Sequence, residues 1–209
     1  MPGASHQGEL VMDYKVIVVG AGPAGIFAAL TLADQGIEPV LLLEQGKDLS
    51  ERKRKNSGDM LCGWGGAGAY SDGKLTLSPE VGGFLGELLK KKNLTQLLEK
   101  TDETYVAYGA PNHVFGEASP QLDSLADRAR LADLELIPSR IRHIGTENCR
   151  VVLERLRQAL IDRVEIRTNC QVQNLVAEDG QIRGSNWRTA KQFLAFSLWL
   201  PRADPVQTG

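Results

Sequence analysis

Between residues 13 and 46 the chain reads DYKVIVVGAGPAGIFAALTLADQGIEPVLLLEQG, and its apolar and polar positions fall into a definite order. Residues 15–19 are a short β-branched apolar run, which predicts a strand. Glycine follows at positions 20, 22 and 25. An Ala- and Leu-rich pattern of helical period then runs to about Gln35, where Gly36 stops it. Residues 39–43 form a second apolar run, closed by Glu44. Strand, glycine turn, helix, strand and acid, in that order, predict a dinucleotide-binding βαβ unit.

Each part has a physical reason. Gly20 permits a tight turn out of the strand, Gly22 lets the main chain approach a pyrophosphate, and Gly25 lets the helix pack closely on the sheet. The unpaired N–H groups at a helix start suit an anion. That dipole contributes only about 0.3–1 kcal/mol, so tight binding must draw on the adenosine and the rest of the ligand. Glu44 stands 24 positions after Gly20, near the spacing of the acid that accepts a ribose hydroxyl proton. No Arg or Lys follows it directly, which argues against a 2′-phosphate and hence against NADP here. FAD and NAD both remain open on these residues. The competing reading is an ordinary βαβ unit that binds nothing.

Beyond Gly46 the pattern loosens. Residues 47–60 are polar and basic, and Arg52, Lys53, Arg54 and Lys55 read as a solvated connection, with one of them a candidate to reach a cofactor phosphate. Five glycines fall between positions 63 and 73, too many for a regular element, since each costs about 0.5–1 kcal/mol relative to Ala. A loop so rich in glycine and carrying Trp64 and Tyr70 fits backbone passing close to something flat or anionic; a flexible linker is the alternative. Asp72-Gly73 predicts a turn into a short strand at 74–77. Helical spacing predicts helices over 80–92, 94–108 and 120–131. Strands are expected at 134–137 and 140–145, a helix over 146–160 with Thr146 as its cap, and strands at 164–168 and 170–177. Asp179-Gly180 reads as a hairpin turn, with 181–184 starting the return strand.

Composition adds bounds. The 209 residues suffice for one sizeable core, with 42% hydrophobic and 24% charged residues, as in ordinary globular proteins. A net charge of −2 gives no drive towards nucleic acid or an anionic membrane, so neither is expected as a partner. The first ten residues lack the basic and apolar regions of a signal peptide, and no apolar run approaches the ~20 residues of a membrane helix. Cys62, Cys149 and Cys170 form no CxxC or metal-ligand spacing, so reduced thiols and a cytoplasmic location are expected. Cys62 is a candidate to face a flavin, against the reading of an inert thiol. His143 is a candidate proton donor, against a structural histidine. Lys74 is a candidate to neutralise a reduced flavin or a phosphate, against a surface lysine. His6 and His113 carry no context.

The opening GAGPAGIFAALTLADQG…VLLLEQG resembles the FAD-binding half of two-dinucleotide-binding-domain flavoproteins. The stretches GWGGAGAYSDGKLTLSPEVGG and RHIGTENCRVVLERLRQAL resemble, more particularly, a bacterial family of NAD(P)/FAD-dependent oxidoreductases. The resemblance covers residues 13–184. It implies an α/β, Rossmann-like FAD-binding domain with a parallel sheet, a helical insertion at about 80–133 and a β-hairpin. Gly20, Gly22, Pro23, Ala24 and Gly25 would hold the FAD pyrophosphate. Glu44 would bind the adenosine ribose, with Gln45 and Gly46 beside the adenine. Gly65, Gly66, Ala67 and Ser71 would pass the pyrophosphate, ribityl chain or flavin edge. Val172 would meet the adenine through its main chain. The implied activity is that of a dehydrogenase working through FAD, with NAD(P)H as a candidate electron donor.

Residues 185–209 depart from the pattern. These 25 residues hold two of the three Trp and two of the five Phe, without alternation or a helical stripe. The expectation is that the family fold is missing or altered from there, through truncation or a change of frame near Ser185, with residues 1–12 a loose tail. The alternative is a divergent final strand, FLAFSLWL, buried against the sheet. Three readings of function follow: an FAD-dependent oxidoreductase, a nucleotide-binding fragment without catalysis, and an NAD-binding dehydrogenase domain.

Overall fold

The computed structural model describes residues 13–178, 181–187 and 192–199. The elements follow in the order β1 (Asp13–Val19), α1 (Pro23–Asp34), β2 (Val40–Leu43), α2 (Ser57–Leu61), β3 (Lys74–Thr76), α3 (Leu85–Leu88), α4 (Lys91–Ala107), β4 (Val114–Phe115), α5 (Pro120–Leu131), β5 (Ile141–His143), α6 (Thr146–Leu160), β6 (Glu165–Arg167), β7 (Val172–Glu178), β8 (Gln181–Trp187) and β9 (Gln192–Trp199). A 3₁₀ turn at Gly66–Tyr70 lies between α2 and β3. The chain divides into two compact units, one of Met1–Ala69 with Leu153–Gly209, the other of Tyr70–Val152.

The first unit is built on a six-stranded sheet in the order β6-β2-β1-β9-β8-β7. β6, β2, β1 and β9 run parallel to their neighbours, and β9-β8-β7 is an antiparallel meander. All four β2 side chains are buried, as expected of a parallel strand covered on both faces. α1 packs on β1 and β2 through Ile26, Ala29, Leu30 and Ala33, whose spacing places them on one helical stripe. Pro23 occupies its first turn, where a missing N–H costs nothing. A second cluster joins Tyr14, Ile17, Leu41, Leu43 and Cys170, with Val19 and Val172 against it. The parallel pairing continues past the strands: Gly20 N donates to the Leu43 carbonyl at 2.6 Å, and Glu44 N donates to the Arg167 carbonyl at 2.9 Å.

The second unit contains a small antiparallel sheet in the order β3-β5-β4, with α3, α4 and α5. Its polar anchor is Arg142 on β5. Buried, it donates to both carboxylate oxygens of Asp102 on α4, at 2.5 and 2.7 Å, and to the carbonyls of Pro111 and His113. The same guanidinium therefore ties a helix, a strand and the loop before β4.

Several sequence expectations shift. The helix expected over 80–92 is only the single turn α3, because Gly82 and Gly83 take φ of +90° and +80°, outside any right-handed helix. Residues 134–137 form no strand: Leu134 and Ile137 are exposed and no ladder partner meets them. β4 had no clear signal, being two residues long. The backbone of residues 192–199 is a strand, as in the alternative reading of that segment, and it lies within the sheet, paired parallel with β1 from Asp13↔Leu194 to Val18↔Trp199. The tail at 1–12 and the turn residues 179–180 lie outside the described residues.

Candidate functional site

Three loops of the first unit converge at the carboxyl ends of β1 and β2: residues 20–25, residues 44–47 and residues 62–66. A buried carboxylate joins them. Glu44 is 5% exposed. Its Oε2 accepts from Ala21 N at 2.7 Å; its Oε1 accepts from Gly46 N at 2.8 Å and from Gly63 N at 2.9 Å. Main-chain bonds reinforce the junction, with Gly65 N donating to the Ala21 carbonyl at 2.7 Å and Trp64 N to the Lys47 carbonyl at 3.0 Å.

The 62–66 loop is held from beneath. Trp64 is fully buried and donates through Nε1 to the Leu153 carbonyl at 3.0 Å, with the Arg157 guanidinium 5.9 Å from its ring centroid. Arg157 in turn pairs with Asp48. Arg52, expected in solvent or at a phosphate, is 4% exposed and does neither. It donates to the carbonyls of Asp59 at 2.8 Å, Trp64 at 2.5 Å and Met60 at 3.3 Å, closing the loop on itself. Lys53, Arg54 and Lys55 are exposed, as a solvated connection requires. Gly63 sits at φ +115°, and a Cβ there would lie 2.6 Å from the Lys47 carbonyl oxygen, so only glycine fits.

The junction walls a cleft of about 410 Å³. Of the expected residues, Gly20, Gly22, Pro23, Ala24, Gly25, Glu44, Gln45, Gly66 and Val172 line it. Gly46 and Gly65 serve packing. A Cβ on Gly46 would run into the Cys62–Gly63 peptide, and one on Gly65 into the Leu153 side chain. Ala67 lies in the 3₁₀ turn and not in the lining. Ser71 belongs to the other unit, where its Oγ accepts from Gly73 N at 3.0 Å. Leu61, Gly63, Cys170 and Gln171 line the cleft without having been anticipated. The folding of 62–66 onto residues 20–25 brings Leu61 and Gly63 there, while Cys170 and Gln171 are placed by Asn169 N and Cys170 N donating to the carbonyls of Gly46 and Glu44, at 2.7 and 2.8 Å.

The titratable candidates separate. Cys62 lines the cleft, half-buried, and its Sγ accepts from Gln45 Nε2 at 3.1 Å. Burial pushes the Cys170 thiol up to about 12, with Arg167 opposing, so it stays a thiol at neutral pH. Lys74 is exposed and pairs with Asp72 at 2.8 Å, and His143 is exposed on β5. His113 packs edge-on against Phe115. His6 lies outside the described residues. Among the described residues, Glu44, Cys62 and Cys170 are the ionisable side chains of the cleft lining.

The lining fits a dinucleotide. Nothing lies within 4 Å of where a Cβ on Gly22 would project, so the backbone there is open to close approach. Gly22 also caps α1 without a side chain, leaving the first-turn N–H groups of Ala24 and Gly25 without an intrahelical acceptor. Gly25 cannot be larger, because its Cβ would overlap the Gly20 carbonyl oxygen.

Comparison with known proteins agrees. A protein of Clostridium beijerinckii, described as an uncharacterized protein, is 48% identical over 73 residues, covering 30% of this chain and 14% of that one. The 3-ketosteroid-Δ4-(5α)-dehydrogenase of Rhodococcus jostii RHA1 shares the fold with a TM-score of 0.58 at 17% identity, over 94% of this chain and 47% of its own. Sdh1 of Mycobacterium smegmatis gives 0.56 at 14% identity, over 90% of this chain and 33% of its own. The chain thus spans half or less of the length of these proteins. Residues 15–197 match the family described as DAO, FAD dependent oxidoreductase, a span that crosses Ser185 and includes most of β9. On that match, and with the βαβ unit and cleft in place, the chain belongs to the DAO family of FAD dependent oxidoreductases.

Proposed function

We propose that this chain binds FAD in the cleft at the carboxyl ends of β1 and β2, and that it acts in a dehydrogenase reaction on a small substrate. The observation that carries the reading is the open wall at Gly22, set beside the α1 N-terminus and the buried Glu44 in one cleft. Bound there, FAD supplies hydride or electron transfer, which the flavin performs itself. The residues of this chain bind and orient it. Gly20, Gly22, Pro23, Ala24 and Gly25 would face the pyrophosphate, and Glu44 a ribose hydroxyl. Gln45 and Val172 would border the adenine, with Leu61 and Cys62 opposite. Among the described residues no Lys or Arg lines the cleft, so these residues would meet the pyrophosphate charge with backbone N–H groups and the helix dipole.

NAD(P)H as electron donor belongs to the same reading, supported by the resemblance of the glycine-rich stretch and of α6 to NAD(P)/FAD-dependent oxidoreductases. A reducing, cytoplasmic setting is supported by three cysteines that are all free thiols. Among the described residues no helix is long and apolar enough to cross a membrane. Nucleotide binding without turnover is the second reading, favoured by a cleft lined, among the described residues, by no His, Lys or Arg to move a proton.

The test is the visible spectrum of the purified 209-residue chain, with mass identification of the released cofactor. Released FAD, bleached by NADH or NADPH, is the expected result. A colourless chain that takes up NADH but no added FAD would overturn it in favour of an NAD-binding domain. FAD bound but never reduced by any donor would leave the second reading.

A further inference from the structure

The second unit turns three large apolar side chains outward in one short stretch. Phe84 is 78% exposed, Leu85 53% and Leu88 80%. Every residue from Gly82 to Leu88 is exposed, and only with Leu89 does the chain turn partly inward. A Cβ on Gly82 or Gly83 would meet nothing within 4 Å, so the backbone leading to Phe84 stands clear of other atoms. Lys91 pairs with Glu80 at 2.6 Å and so fastens the two ends of the stretch together. An apolar tip on a closed base seats no small molecule; what it can do is enter an apolar medium. The flanking charge says which. Lys90, Lys91 and Lys92 follow the tip directly, all exposed. Glu80 occupies Lys91, and among the described residues Lys90 and Lys92 have no carboxylate partner. Glu87, exposed on the tip itself, opposes an anionic surface.

We propose that residues 82–92 dock this chain on an anionic lipid surface, with Phe84, Leu85 and Leu88 entering the headgroup boundary and Lys90 and Lys92 meeting the anionic headgroups. The docking is interfacial and needs no membrane-spanning segment. The chain's net charge of −2 gives no drive towards such a surface, but total charge is the wrong measure at contact. Salt screens charges beyond about 8 Å, so the lipid meets the lysines beside the tip and not the distant acids. The two kinds of side chain then act together: apolar area leaves water, and each lysine at the surface tightens binding about fivefold. Glu87 takes back about as much as one lysine gives. The proposal is independent of what the cleft of the first unit holds.

The test is flotation of the full 209-residue chain with vesicles of phosphatidylcholine alone and of phosphatidylcholine mixed with phosphatidylglycerol. The expected result is binding to the mixed vesicles that weakens as salt is raised, and binding about tenfold or more weaker to the neutral ones. Phe84→Ser combined with Leu88→Ser should cost about tenfold or more on the mixed vesicles. Both side chains are exposed, so the urea midpoint of that variant should stay at the parent's. Lys90→Gln combined with Lys92→Gln should remove the preference for phosphatidylglycerol. Glu87→Gln should tighten binding about fivefold, a gain that damage to the fold would not produce. No binding to the mixed vesicles overturns the proposal, as does binding that the Phe84 and Leu88 substitutions leave unchanged. If light scattering without lipid shows a dimer that those substitutions dissolve, a second copy of the chain covers the tip, and the proposal falls.

Discussion

Two glycines three residues apart answer to different constraints. Gly22 is at φ −72° with nothing within 4 Å of its absent Cβ, so an Ala methyl meets no protein atom there. In the proposed FAD complex the added methyl would stand on the side from which the pyrophosphate approaches. Gly22→Ala is therefore expected to leave stability within about 0.5 kcal/mol of the parent. It should weaken FAD or ADP binding by about tenfold or more, as overpacking of 1–3 kcal/mol implies. Gly25→Ala does the reverse. Its methyl would overlap the Gly20 carbonyl oxygen, forcing α1 from the sheet at a cost of about 1–3 kcal/mol whether or not ligand is present. Urea midpoints and nucleotide titrations on both variants separate the two effects. A Gly22→Ala variant that binds as tightly as the parent would count against the pyrophosphate wall.

At the scale of elements, the segment from Asp48 to Gly66 is ordered by one guanidinium and one indole. Arg52 satisfies three carbonyls within the segment, and Trp64 fastens its end to the Leu153 carbonyl. Arg52→Ala would leave those carbonyls without their donor, at about 1–3 kcal/mol for a buried group that finds no substitute. The expected outcome is new proteolytic cleavage and faster amide exchange over residues 53–62, with α1 and β2 still protected. Trp64→Phe keeps the ring volume of an aromatic but loses the Nε1 donor. It should lower the urea midpoint by the equivalent of about 1–3 kcal/mol, with the 62–66 loop the first region to exchange.

The same segment shows what a sequence discloses and what it withholds. The βαβ unit is legible because strand, helix and turn are local patterns, and α4, α5, α6 and the β7–β8 hairpin are legible for the same reason. Arg52 is not. Its neighbours Lys53, Arg54 and Lys55 have the same chemistry and lie in solvent, and only the path of the chain distinguishes it. Glu44 stood out as an acid at a strand end, but its three amide partners come from loops 2 to 23 positions away, and no spacing rule contains them. The 80–92 helix was overread because two adjacent glycines weigh little in a count of apolar spacing, yet decide the backbone. The small sheet of β3, β5 and β4 is set by pairings 26 to 69 positions apart, with Lys74 and His143 at one extreme and Phe115 and Ile141 at the other.

At the scale of the whole molecule, stability should be sensitive to alkali. The Tyr14 hydroxyl donates to Glu165, and burial first, then Glu165, raises it from its ordinary 10 to about 12. Burial raises Cys170 from 9 to about 12. Both groups are neutral when protonated, and both hold the proton more firmly in the folded chain. Their contribution is therefore complete below about pH 9 and lost as pH rises from 9 to 12, the range in which the unfolded chain releases protons first. For Tyr14 the part lost by pH ~11 is on the order of 1 kcal/mol. Urea midpoints at pH ~8 and ~11 should differ accordingly, and Tyr14→Phe should narrow the gap. A gap unchanged in that variant would show that Tyr14 does not contribute.

The position of β9 has a kinetic meaning. β1 pairs on one side with β2, close by in sequence, but on its other side with a strand that begins its pairing at Asp13↔Leu194, 181 positions away. The nascent chain thus carries β1 with one bare edge until residues 192–199 have been made, and only then can that edge be paired. Closing so long a loop must precede any reward from the contacts it makes, which slows folding, and meanwhile the bare edge is free to pair with other chains. Refolding yield should accordingly fall as protein concentration rises, and a chain cut before Gln192 should aggregate from the edge that β9 otherwise occupies.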